Sequence, residues 1–178
     1  MLTGERVTLG PIKREYIDLY LKWFNDPEIT QYLTMYRPLT RMFEEDWIEN
    51  LKNRDDTIAF AILIHDENGE ERHIGNCGIH NIDWKNRVAE VGITIGEKDC
   101  QSKGYGTEAM EILIEYGFKS VNLNRIQLRV YEFNTRAINS YSKIGFMEEG
   151  RMRQAIFISG EYHDVIFMSI LREEWVKR

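Results

Sequence analysis

Only two cysteines occur in the 178 residues, Cys77 and Cys100. Two thiols build no disulfide framework and cannot complete a structural zinc site, so both read as small buried residues. No apolar run approaches the roughly 20 residues of a membrane-spanning helix. The opening MLTGERVTLG lacks the long apolar core of a signal peptide. These absences lead to the expectation of a cytoplasmic protein with no membrane partner and no metal. Basic charge is also scarce: 23 Lys and Arg face 29 Asp and Glu, a net charge of −6. That argues against a chain-wide electrostatic footprint for nucleic acid and suits a cationic small molecule or a basic peptide. Repeats, low-complexity tracts and linkers are missing too, so 1–178 reads as one domain. With 43% apolar and 29% charged residues it has ordinary globular composition and enough length for a sizeable core.

What is present has a clear order. RVTLGPI (6–12) reads as a strand closed by Gly10 and Pro11. KREYIDLYLKWFN spaces Tyr16, Leu19, Tyr20, Trp23 and Phe24 at helical intervals, and Pro27 limits continuation. Thr40 can cap a second helix with Phe43, Trp47, Ile48 and Leu51 on its inner face. Thr57 to Ile64 and HIGNCGIH read as strands joined at Asn68-Gly69, a strong hairpin signal. After a turn at NIDWKN comes VAEVGITI (88–95), with Val91, Ile93 and Ile95 on one face and Glu90, Gly92 and Thr94 on the other. A helix over TEAMEILIEYGFKSV, a strand RIQLRVY (125–131), a short helix ending at Gly145, and two strands around Ser159-Gly160 complete an α+β pattern.

Between VAEVGITI and the long helix lies EKDCQSKGYG, which places Gly104 and Gly106 at a helix start. Close glycines there let backbone N–H groups approach an anion, usually a phosphate. A Walker A loop needs a lysine followed by Ser or Thr after its glycines; here Lys103 precedes them. A dinucleotide fingerprint is met formally by Gly104, Gly106 and Ala109, with Glu132 further on. It is disfavoured because GEKDCQSK separates strand from glycine and the preceding strands form a meander without crossover helices.

The residues Gln101-Ser102-Lys103-Gly104-Tyr105-Gly106 match [QR]-x-x-G-x-[GA], and Asn134, Ala137, Tyr141, Lys143, Gly145 and Phe146 match N-x-x-A-x-x-x-Y-x-K-x-G-F. In this order and spacing the chain resembles the GNAT superfamily of N-acetyltransferases. Its two ends, GERVTLGPI and GEYHDVIFMSILREEW, are similar to the subgroup of ribosomal-protein-alanine and spermidine acetyltransferases.

The resemblance implies a mixed, mostly antiparallel central sheet flanked by helices, with two splayed parallel strands, VAEVGITI and RIQLRVY, forming an acetyl-CoA cleft. It implies an enzyme that moves acetyl from acetyl-CoA directly to a primary amine: a protein N-terminus, a polyamine or another small amine. A non-catalytic acyl-CoA sensor is the alternative. The cosubstrate would contact Ile93, Thr94 and Ile95, the loop Gln101, Ser102, Lys103, Gly104, Tyr105, Gly106 and Thr107, and Asn134 and Lys143. Tyr141 would be the general acid for the leaving thiolate, and Gly92 would suit a bulge that starts the splay. For the general base Glu90 leads, with His80 or water in reserve. Tyr32, Tyr36 and Trp84 would line the acceptor pocket, and Glu44-Glu45-Asp46 could attract a cation, although such a run also suits a solvated helix start. A homo-oligomer stays open.

Overall fold

The computed structural model describes residues 1–65 and 69–177. Asn68, half of the expected hairpin signal, therefore lies outside the described residues. Eight strands form one sheet in the order β1-β2-β3-β4-β5-β6-β8-β7. The first five, β1 (Leu2–Thr3), β2 (Thr8–Gly10), β3 (Ile58–His65), β4 (Glu71–Asp83) and β5 (Val88–Ile95), are an antiparallel meander. β5 then pairs in parallel with β6 (Arg125–Tyr131), and β8 (Glu161–Leu171) lies antiparallel between β6 and β7 (Met147–Ile158). Parallel neighbours need a crossover. Here α4 (Tyr105–Lys119) supplies it between β5 and β6.

α4 buries Ala109, Met110, Leu113, Ile114, Gly117 and Phe118, the broad apolar stripe of a helix lying on a sheet. The facing side of the sheet offers Ile79, Ala89, Val91 and Ile126, all nearly inaccessible. Beyond β6, α5 (Thr135–Ile144) begins at Asn134, whose Oδ1 accepts the Ala137 N–H at 3.3 Å, and ends at Gly145 in the left-handed region. Both ends agree with the sequence. Cys77 and Cys100 are buried, unpaired thiols.

On the other side α1 (Ile17–Trp23) sets Tyr20 and Trp23 against His73 of β4, and α3 (Arg41–Leu51) packs on α1. Thr40 caps α3 as expected, its hydroxyl accepting the Phe43 N–H at 3.4 Å. The inner face of α3 is not the expected one. Phe43 is 59% exposed, and Glu44 is the buried side chain at 6%. Apolar spacing alone put Phe43 inward; the turn actually aims its neighbour at the core. β4 is also longer than HIGNCGIH and runs through Asn81 to Asp83, which the sequence assigned to a turn.

Candidate active site

The ladder between β5 and β6 has three rungs, Val88↔Arg125, Ala89↔Ile126 and Glu90↔Gln127. Past them β5 continues to Ile95 paired only with β4, and β6 continues to Tyr131 paired only with β8. The sheet therefore forks, and each strand turns an unpaired backbone edge towards the gap. Unpaired strand edges hydrogen-bond an extended ligand as they would another strand. Ile93, Thr94 and Ile95 lie on this free edge. The expected bulge at Gly92 is absent: the β4–β5 register is regular from Gly75↔Ile95 to His80↔Glu90, and its irregularity lies at His80–Asp83, where Asn81 has φ 51°. Divergence of the strands, with α5 following β6, opens the fork without a bulge in β5.

The glycine loop closes the open end of the fork. Ser102 (φ 60°) and Gly104 (φ 88°) both adopt left-handed backbone. Gly104 is the N-cap of α4, with no side-chain cap, and the first helical bond is Glu108 N–H to Gly104 C=O at 3.1 Å. The amides of Tyr105, Gly106 and Thr107 thus keep the uncompensated donors of a helix start, at its positive end. Gly104 needs its glycine for conformation, and a Cβ there would also meet Arg6 Nη2 at 3.1 Å.

Two arginines that the sequence reading passed over hold this loop. Arg6 donates from Nη1 to the Lys103 carbonyl at 3.1 Å, pairs with Glu108 at 3.0 Å, and lies over the Tyr105 ring at 5.1 Å. Glu108 also accepts the backbone N–H groups of Arg6 and Val7. Arg136 donates to Gln101 Oε1 at 3.1 Å and to Ser102 Oγ at 3.5 Å. Gln101 in turn donates to the Ile95 carbonyl at 2.9 Å, so loop, β5 and α5 form one hydrogen-bonded unit. Arg136 was visible within the Asn134 motif; Arg6 lies far away in sequence and gave no local signal.

The other expected residues divide. Thr107 spends its hydroxyl on Ser140 at 2.8 Å, tying α4 to α5, while its amide remains at the helix start. Lys103 and Lys143 are exposed. Tyr141 is half-buried on α5, 5.9 Å from the Phe146 ring, and its hydroxyl has no hydrogen bond among the described residues. Burial pushes the phenol up to about 12, with Arg136 opposing. Tyr32 packs towards Phe133 and Arg136, whereas Tyr36 is 84% exposed, with Arg37 over its ring. Trp84 is anchored through Nε1 to the Asp55 carbonyl.

On the sheet face away from α4, Glu90 reaches across the fork. Both its oxygens are bound by Arg129 of β6, at 2.9 and 3.0 Å. This bidentate pair raises the Arg129 guanidinium above its usual range. His80, opposite Glu90 in register, is held below the ordinary histidine range by burial, with Arg54 acting in the same direction.

A fork between parallel strands, closed by an uncapped helix start, is the geometry that the two motifs required. A family model for the acetyltransferase (GNAT) domain matches residues 6–147. The chain belongs to the GNAT acetyltransferase family.

Among GNAT relatives, the uncharacterized N-acetyltransferase p20 of Bacillus licheniformis is 32% identical over 182 residues, covering 98% of this chain and 97% of that protein. A spermidine N(1)-acetyltransferase of Vibrio cholerae is 33% identical over 156 residues, covering 88% and 82%. The crystal structure of spermidine N-acetyltransferase from Vibrio cholerae in complex with CoA and spermine superposes with a TM-score of 0.88 at 25% identity, over 97% of this chain and 99% of that one. The GNAT sheet is mixed, as expected, and its forked strands are β5 and β6.

Proposed function

We propose that this GNAT protein transfers acetyl from acetyl-CoA directly to a primary amine, and that a polyamine is the acceptor class. The observation that carries the transfer is the β5–β6 fork ending at the uncapped start of α4. The polyamine rests on the likeness to spermidine acetyltransferases and on a net charge of −6.

The cosubstrate brings an activated acyl thioester; the chain supplies the rest. Amides from Ser102 to Thr107 take its pyrophosphate, with Arg136 adding positive charge. The free edge at Ile93, Thr94 and Ile95 takes the pantetheine arm, and the Ile93 amide polarises the thioester oxygen. Asn134 orders this end of the fork by capping α5. Lys103 and Lys143, being exposed, act through charge near the phosphates. Tyr141 faces the leaving sulfur. With its pKa at about 12, against about 8.5 for a thiol, it keeps its proton until charge has developed on sulfur. It then acts as a hydrogen-bond donor to the departing thiolate. Glu90 marks the acceptor side of the fork, its carboxylate paired with Arg129.

A protein α-amine is the second reading. Residues 31–39, QYLTMYRPL, contain Arg37 and no carboxylate, a composition poorly matched to a polycation. Mass detection after incubation with acetyl-CoA and either spermidine, spermine or peptides with free N-termini separates the two. Acetylated polyamine supports the first reading; acetylated peptide alone replaces it; no acetylated product overturns the transfer.

A further inference from the structure

Glu90 was the expected base, yet its carboxylate is engaged at both oxygens by Arg129. A carboxylate held this way has its lone pairs committed to a permanent cation. It clamps the fork at the point where the ladder ends, a structural duty that losing the Arg129 contact would undo. The proton must go elsewhere.

Antiparallel partners share a sheet face. Ala59↔Gly78 and Gly78↔Gly92 therefore form a row across β3, β4 and β5 on the face opposite α4. No side chain larger than a methyl rises from that row, and it leads to the fork between β5 and β6. His80 stands beside it. A Cβ on Gly78 would come within 2.9 Å of His80 Cε1 and Nε2, so the ring lies folded over Gly78. The Cβ position of Gly92 meets nothing nearer than His80 Nε2 at 3.9 Å. The imidazole thus points Nε2 along the row, towards the strand that carries the free edge. No hydrogen bond holds either ring nitrogen among the described residues, and neither is sealed from solvent, in contrast to His73 Nδ1.

We infer that His80, lying over the Ala59–Gly78–Gly92 row beside the fork, takes the proton from the acceptor ammonium, while Glu90 serves as the clamp. The inference rests on the acetyltransfer reading above. In the step, R–NH3⁺ gives one proton to His80 Nε2, and the freed lone pair forms the N–C bond as the C–S bond breaks. The second nitrogen proton is the one that, by way of the Tyr141 hydroxyl and solvent, ends on sulfur. His80 returns its proton to solvent. The balance is one amide, one thiol and one released proton.

The charged groups around the imidazole set its readiness. Burial and Arg54 favour the neutral ring, while Glu90 and Asp56 favour the charged one, and the former prevail. A neutral imidazole at pH 7 is the form a base needs.

The test compares kcat against pH for wild type, His80→Gln and Glu90→Gln, using one acceptor that the wild type acetylates. A fluorinated analogue of that acceptor, whose amine is already neutral at pH 7, is run beside it. His80→Gln is expected to lose about 10²- to 10⁴-fold in kcat on the ordinary amine. It should replace the limb below pH 6.5 by a rate that keeps rising with pH towards the acceptor amine's own pKa, keep its acetyl-CoA Kd, and recover to within about threefold of wild type on the fluorinated analogue. Glu90→Gln is expected to retain that limb. Wild-type kcat in His80→Gln, or an equal loss on both acceptors, overturns the role for His80. Loss of the limb in Glu90→Gln alone returns the base to Glu90. If the wild type acetylates no amine, the parent reading has failed, and the inference with it; that result is visible before any variant is made.

Discussion

At the scale of single residues, the side chains proposed to act on substrate differ from their neighbours in hydrogen bonding. The Tyr141 hydroxyl and the His80 nitrogens have no partner among the described residues, whereas Gln101, Thr107, Asn134 and Glu90 are each committed to a structural bond. Tyr141→Phe should therefore leave acetyl-CoA affinity intact and lower turnover by about 10²- to 10⁴-fold. Steady-state rates with isothermal titration would show both, and unchanged turnover would remove the tyrosine from the reaction. Arg136→Met should do the reverse. Charge-assisted bonds contribute about 1.5–3 kcal/mol, so CoA affinity should fall by about tenfold or more while kcat at saturation changes little. Most of these side chains were legible in the sequence because the two motifs fix their spacing. Arg129 and Arg6 were not. Each acts through a partner on another element, Glu90 or Glu108, and nothing in local pattern announces such a pairing.

Elements explain where local reading succeeded. β5 and β6 matched their expected limits because alternation and flanking turns agree there, and α5 matched because Asn134 and Gly145 carry both end signals. α3 defeated the same method. Its inward stripe of Glu44, Trp47, Ile48 and Leu51 contains a carboxylate, so the apolar pattern was rotated by one residue towards Phe43. The glycine loop lies between these cases: sequence placed its two glycines at the start of α4 but did not reveal the left-handed conformation at Ser102 and Gly104. That conformation alters what a substitution means. Gly104→Ala should cost about 1–2 kcal/mol of stability, from the left-handed backbone alone, and should also weaken CoA binding by displacing Arg6 and the loop amides. Urea melts and titration on the same protein would measure the two losses. A variant with full stability and full affinity would refute the account of the loop.

For the whole molecule, pH-dependent stability offers a test that does not involve activity. Burial raises the Glu44 carboxyl to about 7. Its unfolded value lies near 4.3, so between these limits the native chain holds a proton that the unfolded chain has released. Stability from this group is greatest below about pH 4.3, falls as pH rises, and is lost above about pH 7. His73 and His80 oppose it. Burial lowers both, so the unfolded chain binds their protons first and stability falls as pH drops below about 6.5. The difference between wild type and Glu44→Gln isolates the carboxylate. The variant should gain melting temperature relative to wild type between pH 5 and pH 8. A difference that does not vary with pH would mean that Glu44 titrates as an exposed acid.

The order in which the strands lie, set against the order in which they are made, has a consequence for synthesis. β8 is the last strand to leave the ribosome, yet it stands between β6 and β7, both older than itself. The β1–β5 meander and α4 can assemble while the chain is still growing, because each strand finds a neighbour already made. β6 cannot: apart from three rungs to β5, its partner is β8. One wall of the fork therefore waits for nearly the entire message to be read. A nascent chain stalled after Ile158 would present the glycine loop and the free edge of β5 without the strand that supports β6. Ribosome-bound chains of increasing length should acquire protease resistance over residues 1–120 well before they acquire the capacity to retain CoA.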